Sequence, residues 1–400
     1  MDANALSQLL SPAGWALLGT LPAYDESRTM AISERLRAGG IDPQLVAAAL
    51  TQSRLRAKAH AKFADFADGM LFTEAGLEQA TRLAVAARHA QRFAAAGIDK
   101  VADLTTGIGG DAMAMAALGL TVTGFELDEL TAAIATVNLR HFPNAEVRRA
   151  DGLAADLTAE GFGGVFADPS RRTRGGTRLF DPNSYAPPLA AVLALRPAFP
   201  ALGIKVGPGI AHADLPADAE AQWISVDGDV VEAGLWFGPL APAGPGRTAL
   251  VIRDGAAVSA RRSERPEPVP IGSPGSYLYE PDGAVIRAGL VELVAAEVSG
   301  RLLDRTIAYV TSDALVATAL ATGYRIHDVM PFGLKRLRAY LREHDVGRLT
   351  IKKRGTAVVP EQLRRQLDLR GSQEATVVLT RVAGAQMMLV VSPLTTCHPD

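Results

Sequence analysis

Apolar residues recur at three- and four-residue intervals through the first 95 residues, which is the spacing of one buried helix face. The segments with this pattern are 27–38, 43–57 and 73–96. Thr73 is a suitable N-cap for the third segment, and Gly97 follows it as helix-terminating glycines do. We therefore predict a helical N-terminal region over residues 1–95.

From residue 100 the pattern changes to short apolar runs that alternate with helical segments. The runs predicted to be strands are 101–104, 121–127, 145–150, 163–169, 202–207 and 222–226, with helices predicted at 111–118 and 129–140. Such alternation is typical of a parallel, doubly wound sheet. A segment rich in Pro, Gly and Ala at 238–246 then marks a boundary, so we expect an α/β, Rossmann-like domain over residues 96–240.

The remaining chain predicts two smaller modules of mixed α and β structure. A hydrophilic stretch broken by prolines precedes the first, an α/β middle domain over 241–329 for which a ferredoxin-like fold is one candidate. The second covers 330–400. Its predicted elements are a basic amphipathic helix at 332–344, a strand at 348–354, a helix at 360–367 and a hairpin of 375–381 with 385–391.

Composition excludes several classes of protein. Cys397 is the single cysteine, so an internal disulfide and a cysteine-rich zinc site are excluded. The seven histidines show no HxxxH or HExxH spacing, and we expect no metal. No apolar run reaches the roughly 18–20 residues of a membrane span. Because the first residues also lack the basic segment of a signal peptide, we expect a cytoplasmic protein without membrane contact.

A glycine-rich turn, Gly107-Ile-Gly109-Gly110, follows the first predicted strand and precedes a helix that starts near Asp111. Glycines let a cofactor approach the backbone closely, because they carry no Cβ atom. The turn alone is equally compatible with a dinucleotide site or with a simple tight turn. Thr105 and Asp103 stand directly before it.

The acidic residue at the end of the second strand narrows the choice of cofactor. Glu126 stands nineteen positions after Gly107, where a carboxylate can accept hydrogen bonds from both ribose hydroxyls of NAD or of S-adenosylmethionine. Asp111 at the helix N-terminus would repel a pyrophosphate. The sulfonium and the α-amino group of S-adenosylmethionine are instead attracted by carboxylates such as Asp103 and Asp111. S-adenosylmethionine is therefore favoured.

Two further carboxylates follow strands in the same way. Asp151 comes after the third strand, where it can accept a bond from the adenine amine, and Asp168-Pro169 stand at the mouth of the fourth, on the edge where such sheets bind substrates. We assign catalysis to Asp168 and Pro169. The predicted cofactor-binding residues are Asp103, Thr105, Gly107, Gly109, Gly110, Asp111, Glu126, Leu127, Asp151 and Gly152.

These motifs carry a resemblance to known families. Residues 96–240 resemble the class I S-adenosylmethionine-dependent methyltransferases, and residues 58–170 resemble the trimethylguanosine synthase-like group. From Lys58 onward the chain is similar to bacterial methyltransferases with a C-terminal THUMP-like domain. The matching blocks are DPSRR (168–172), GTR (176–178), KVGPG (205–209), YLYEPD (277–282) and KKRG (352–355). The resemblance implies methyl transfer from S-adenosylmethionine, with RNA as the partner.

The acceptor site departs from the pattern of nucleic-acid amino-methyltransferases, which have Asn/Asp/Ser-Pro-Pro-aromatic at the fourth strand. No aromatic residue follows Asp168-Pro169, so stacking on a base falls to Phe180, to Tyr185 or to a guanidinium. Four basic residues near this edge are candidates for phosphate contacts, namely Arg171, Arg172, Arg178 and Lys205. The alternatives are that the arginines belong to a solvated loop and that Lys205 is a surface lysine.

Positive charge is concentrated near the C-terminus. Residues 335–381 contain twelve basic and five acidic residues, a net charge of +7 in a chain whose total is −2. Such a patch is typical of a protein that binds a polyanion, but a solubilising face is the alternative. The resemblance to THUMP-like domains favours RNA, either tRNA or rRNA, with Lys352, Lys353 and Arg354 among the predicted contacts.

The first hypothesis is thus an enzyme that methylates a base nitrogen in RNA. The alternatives are an RNA-binding protein that keeps a non-catalytic cofactor fold, a small-molecule methyltransferase and a nicotinamide-dependent dehydrogenase. Binding of S-adenosylmethionine or of NAD separates the last from the others.

Overall fold

The computed structural model of the chain describes residues 3–171, 177, 179, 181–262 and 268–394. Of the residues named above, Arg172, Arg178, Phe180 and Cys397 lie outside this set. The chain forms two compact units, Met1–Glu220 with Gly234–Pro245 and Ala221–Ala233 with Gly246–Asp400. No helix in the described part of the chain is long and apolar enough to cross a membrane.

The first unit begins with helices, as the hydrophobic periodicity predicted. They are α1 (Ala3–Leu10), α2 (Pro12–Thr20), α3 (Thr29–Ala38), α4 (Pro43–Phe63), α5 (Glu74–Gln79) and α6 (Leu83–Ala95). Asp42 caps α4 by accepting from the backbone N–H groups of Gln44 and Leu45, and Thr73 caps α5 through the N–H of Gly76.

The single long helix predicted over 73–96 is wrong, because the chain breaks between α5 and α6. Ala80 and Arg82 have extended backbone, with ψ of 139° and 138°. The Lys62 ammonium donates to the carbonyls of Leu77, Glu78 and Ala80 at 2.7–2.8 Å and so satisfies the C-terminal end of α5. This long-range cap ends the helix where the local sequence carries no stop signal.

A parallel sheet follows, as predicted. Its strands are β1 (Lys100–Asp103), β2 (Thr121–Phe125), β3 (Ala145–Arg148), β4 (Gly164–Ala167) and β5 (Leu202–Val206), joined by helices α7 (Gly110–Ala117), α8 (Glu129–Leu139) and α9 (Leu189–Leu193). The spatial order is β3-β2-β1-β4-β5, and every pairing is parallel. The order reverses between β1 and β4, and ligands of such sheets bind beyond the strand ends at that point.

Aromatic side chains form the core between α6 and this sheet. Phe93 of α6 meets Phe166 of β4 edge-on, with ring centroids 6.5 Å apart, and Trp236 stacks on Phe166 at 6.3 Å. All three rings are fully buried. Burial of each ring contributes about 1.5–3 kcal/mol to the stability of the fold. These contacts hold α6 against β4, next to the strand ends.

The second unit is built mainly from strands. Its first four are β6 (Glu220–Val226), β7 (Asp229–Trp236), β8 (Gly246–Arg253) and β9 (Ala256–Arg261), in the order β7-β6-β8-β9. Glu220 and the last three residues of β7 belong to the first unit. Asp227 and Gly228, both with positive φ, form the two-residue turn between β6 and β7, as tight hairpins require.

A seven-stranded sheet completes the second unit, in the order β11-β12-β10-β13-β16-β15-β14. The strands are β10 (Tyr277–Pro281), β11 (Arg301–Asp304), β12 (Ile307–Ser312), β13 (Ala321–Pro331), β14 (Val346–Lys353), β15 (Gln373–Val382) and β16 (Ala385–Pro393), with helices α10 (Gly283–Ala288), α11 (Val291–Glu297), α12 (Leu334–Glu343) and α13 (Pro360–Leu367). The predicted helices near 332–344 and 360–367 and the terminal hairpin are confirmed. Leucines of α12 and α13 form a small core with β14 and β15.

Candidate active site

The loop after β1 has the backbone that its glycines predict. Gly107 and Gly109 have φ of 55° and 90°, a left-handed region that other residues enter only at a cost. Gly109 is the N-cap of α7, and the N–H of Gly107 donates to Glu126. A side chain at Gly107 would strain the turn, so the bare backbone of the loop stays open to a ligand.

Glu126 holds this loop in place. Its Oε2 atom accepts from the N–H of Gly107 at 3.1 Å, and its Oε1 atom accepts from the N–H of Asp128 at 2.9 Å. Burial raises the pKa of Glu126, against the lowering effect of these backbone bonds. Leu127, the next residue, has 69% of its surface exposed. A fixed carboxylate thus stands beside an exposed apolar side chain at the end of β2.

Asp103 is buried at the end of β1, with 1% of its surface exposed. Its Oδ1 atom accepts from the N–H of Thr105 at 3.2 Å. Burial raises the pKa of Asp103 to about 8, and the charge of Asp111 acts in the same direction. At pH 7 this carboxyl is therefore mostly neutral, and a cation brought close to it would favour its ionised form.

Asp111 lies inside the unit, with both carboxylate oxygens engaged. The Thr81 hydroxyl donates to Oδ2 at 2.7 Å, and the Nδ1 atom of the buried His89 lies 2.8 Å from Oδ1. Burial alone would raise the pKa of Asp111, but the bond and charge of His89, with Lys205 and Thr81, lower it below its usual range. Asp111 is thus an ionised anchor for α6. No site role was predicted from the sequence for Thr81 or His89. His89 lies on the buried face of α6, and Thr81 stands two residues before that helix begins.

Asp168 follows β4, and hydrogen bonds hold both its backbone and its side chain. Its backbone N–H donates to Thr105 Oγ1 at 2.6 Å, and its Oδ2 atom accepts from Lys205 Nζ at 2.6 Å. The Asp168 side chain keeps 23% of its surface exposed, whereas that of Lys205 keeps only 5%. Lys205 also donates to the Thr81 hydroxyl at 2.8 Å. Lys205 therefore supports Asp168 from inside the protein, and Pro169 beside it is buried.

The other predicted residues of this edge lie in varied surroundings. Asp151 is exposed and caps a short turn by accepting from the N–H of Leu153 at 3.0 Å, while Gly152 is buried. The Arg171 carbonyl accepts from the N–H of Leu179 at 2.7 Å. Tyr185 has only 4% of its surface exposed, so its ring is packed inside and does not offer a stacking face.

The three basic residues of the C-terminal region that are predicted to contact RNA, Lys352, Lys353 and Arg354, all have partners within the second unit. Lys352 Nζ lies 2.7 Å from Glu280 Oε2, and Arg354 lies 3.6 Å from Glu280 Oε1. Burial would raise the pKa of Glu280, but Lys352 and Arg354 lower it. Lys353 is exposed and donates to the Val358 carbonyl at 2.7 Å.

No group of three or more His, Cys, Asp and Glu residues that could hold a metal occurs among the residues described. The sheet order β3-β2-β1-β4-β5, the glycine loop after β1 and the carboxylate after β2 together define a class I, Rossmann-like methyltransferase. Comparisons with known proteins agree with this class.

Two curated proteins of Mycobacterium tuberculosis, from strains CDC 1551 and H37Rv, are each 33% identical to the chain over 375 residues, covering 92% of it and 99% of their own length. Both are described as uncharacterised S-adenosylmethionine-dependent methyltransferases. The chain belongs to this family, and S-adenosylmethionine is its cofactor.

Other comparisons cover its parts and its fold. A THUMP domain-like family model matches residues 321–393, and a domain of unknown function matches residues 2–59. The crystal structure of a Porphyromonas gingivalis W83 protein described as a methyltransferase superposes with a TM-score of 0.71 at 22% identity, covering 94% of this chain and 100% of that one. The predicted α/β methyltransferase fold and the C-terminal THUMP-like domain are confirmed.

Proposed function

We propose that this methyltransferase modifies a nitrogen atom of a base in RNA, and that Asp168 orients the nitrogen. The observation that carries the proposal is the position of Asp168. Its carboxylate stands at the carboxyl end of β4, partly exposed, and is paired with the buried Lys205 at 2.6 Å. A carboxylate fixed in this way can accept a hydrogen bond from an incoming N–H group.

The residues that follow β1, β2 and β3 have the chemistry that the cofactor needs. We assign Glu126 to the ribose hydroxyls and the exposed Leu127 to the adenine, to which it would offer an apolar surface. We assign Asp151 and Gly152 to the far side of the adenine, and Asp103 to the positive end of the cofactor. The other residues assigned to cofactor binding are those of the loop, namely Thr105, Gly107, Gly109, Gly110 and Asp111. When bound, S-adenosylmethionine supplies an electrophilic methyl group.

The residues of the acceptor side position the nitrogen and accept its proton. The Lys205 ammonium favours the ionised form of Asp168, because an opposite charge within hydrogen-bond distance stabilises a carboxylate. The Asp168 carboxylate then orients the acceptor and takes the proton that the nitrogen loses on methylation. The Pro169 carbonyl is a second acceptor for an N–H group. Positioning of this kind dominates reactions that need little covalent help from the enzyme.

Binding of the RNA is assigned to charge on both units. The THUMP-like segment 321–393 contains the whole of the region of net charge +7 at 335–381. We propose that residues 330–400 capture tRNA or rRNA and that residues 96–240 carry out the chemistry in the cytoplasm. Phosphate contacts near the acceptor fall to Arg171, Arg172 and Arg178. In the C-terminal module, Lys353 faces the RNA, and Lys352 and Arg354 support the sheet through Glu280.

The test uses tritiated S-adenosylmethionine and total RNA from a strain that lacks the gene. Wild-type protein should label this RNA, whereas Asp168→Asn should lose at least about 100-fold in single-turnover rate while it binds the cofactor within about twofold. The matched control is Asp156→Asn, at an exposed aspartate that only caps a turn. Wild-type rates in Asp168→Asn would remove Asp168 from this role. If the small-molecule fraction of the same strain were labelled and its RNA were not, the substrate would be a small molecule and not RNA.

A further inference from the structure

A buried chain of polar side chains leads from the acceptor site into the first unit. Lys205 of β5 donates to Asp168 at 2.6 Å and to the Thr81 hydroxyl at 2.8 Å, and Thr81 donates to Asp111 of α7 at 2.7 Å. Thr81, Asp111 and Lys205 each have less than a tenth of their surface exposed. The chain therefore acts with little competition from water.

The chemistry of the end groups fixes the direction of every hydrogen bond. An ammonium offers only protons, and an ionised carboxylate offers only lone pairs. The Thr81 hydroxyl therefore must accept from Lys205 and donate to Asp111. A hydroxyl can do both, whereas valine, which has the same shape as threonine, can do neither.

Thr81 is also placed by an unusual local structure. It stands in the break between α5 and α6, where Ala80 and Arg82 are extended and Lys62 binds the carbonyl of Ala80 at 2.7 Å. A continuous helix over this segment would give Thr81 a different position. The break thus directs the hydroxyl toward Lys205.

We propose that Thr81 is a positioning residue of the methyl-acceptor site. It holds the flexible Lys205 side chain so that the ammonium stays on Asp168 Oδ2, while Thr105 Oγ1 holds the backbone N–H of Asp168. The inference rests on the proposed function only in assigning the acceptor to Asp168. In the step served, the nitrogen–carbon bond forms, sulfur keeps the electrons of the breaking carbon–sulfur bond, and the nitrogen's proton passes to Asp168.

The test compares Thr81→Val with Thr81→Ser in full-length protein. Without the hydroxyl, Lys205 loses one of the hydrogen bonds that hold its ammonium on Asp168. The kcat for Thr81→Val should therefore fall about 10-fold or more, because a hydrogen bond to a charged group is lost. The Kd for S-adenosylmethionine should stay within about twofold, because Asp111 keeps its bond to His89. Thr81→Ser should restore most of kcat. The control is Thr123→Val, at a buried threonine of β2 whose hydroxyl bonds to Glu146. It should keep wild-type kcat.

Three results would each overturn the role of Thr81. They are a kcat for Thr81→Val within twofold of wild type, a Thr81→Ser variant as slow as Thr81→Val, and a loss of cofactor affinity as large as the loss of kcat. The acceptors are the RNA and small-molecule fractions of the same deletion strain. Label in the small-molecule fraction alone counts against the RNA substrate, but the comparison of the two Thr81 variants still decides the positioning role.

A crystal structure of Thr81→Val gives a readout that needs no acceptor. The Lys205–Asp168 contact, 2.6 Å in the native protein, should lengthen or be lost. An unchanged contact would overturn the inference whatever the substrate is.

Discussion

Asp103 should release a proton when the cofactor binds. Burial raises the pKa of Asp103 to about 8, so at pH 7 its neutral form exceeds its ionised form about tenfold. A sulfonium or an ammonium close to the carboxyl stabilises the ionised form. Up to about one proton should therefore leave Asp103 for each cofactor bound at pH 7. The release should decline above pH 8, where Asp103 is already ionised.

Calorimetry in buffers of different ionisation enthalpy measures this number directly. The slope of the observed enthalpy against the buffer enthalpy gives the protons released. Asp103→Asn has nearly the shape of the neutral carboxylic acid, so it should fold normally and lose the part of the slope that Asp103 contributes. Equal slopes for wild type and Asp103→Asn would refute the assignment of Asp103 to the positive end of the cofactor.

The same group makes the stability of the free protein depend on pH. The pKa of Asp103 in the folded state, about 8, lies above the ordinary value of 3.8, so the native state binds more protons between about pH 4 and pH 8. The contribution of Asp103 is therefore complete below about pH 4 and is lost as the pH rises through 8, by at most about 1.4 kcal/mol per pH unit. Urea unfolding of wild type and Asp103→Asn at pH 5 and pH 8 shows this difference, and parallel curves would contradict it.

Two further predictions concern cofactor affinity and RNA capture. Glu126→Ala removes the acceptor of two backbone N–H groups and the proposed ribose contact, so calorimetry should show at least about 10-fold weaker cofactor binding, whereas exposed Glu129→Ala should bind normally. Reversal to glutamate of exposed basic residues in the THUMP-like region should weaken RNA binding and reduce the log–log salt slope by about 0.7–0.9 per lost phosphate contact. The residues are Lys335, Arg342 and Arg365. The control reverses three exposed arginines near α3, namely Arg28, Arg35 and Arg37. If both triple variants show the same log–log salt slope, the change in RNA binding reflects the net charge of the protein and not phosphate contacts of the THUMP-like region.

The parts predicted correctly from the sequence depend on local patterns. The five parallel strands follow from short apolar runs, and α13 follows from its leucines at four-residue spacing after a proline. The glycine loop and Glu126 follow from backbone conformation and from the regular length of a strand–helix–strand unit. Such features are encoded within a few tens of residues, so the sequence alone contains them.

The tertiary structure decided the features that depend on partners distant in the chain. Lys205 is buried because Thr81 and Asp168, 124 and 37 positions away, meet its ammonium. Lys352 pairs with Glu280 across 72 positions, and Lys62 ends α5 from a neighbouring helix. A lysine has the same local pattern whether it faces water or a buried carboxylate. Only packing brings the opposite charge within hydrogen-bond distance and excludes the water that would otherwise solvate the ammonium.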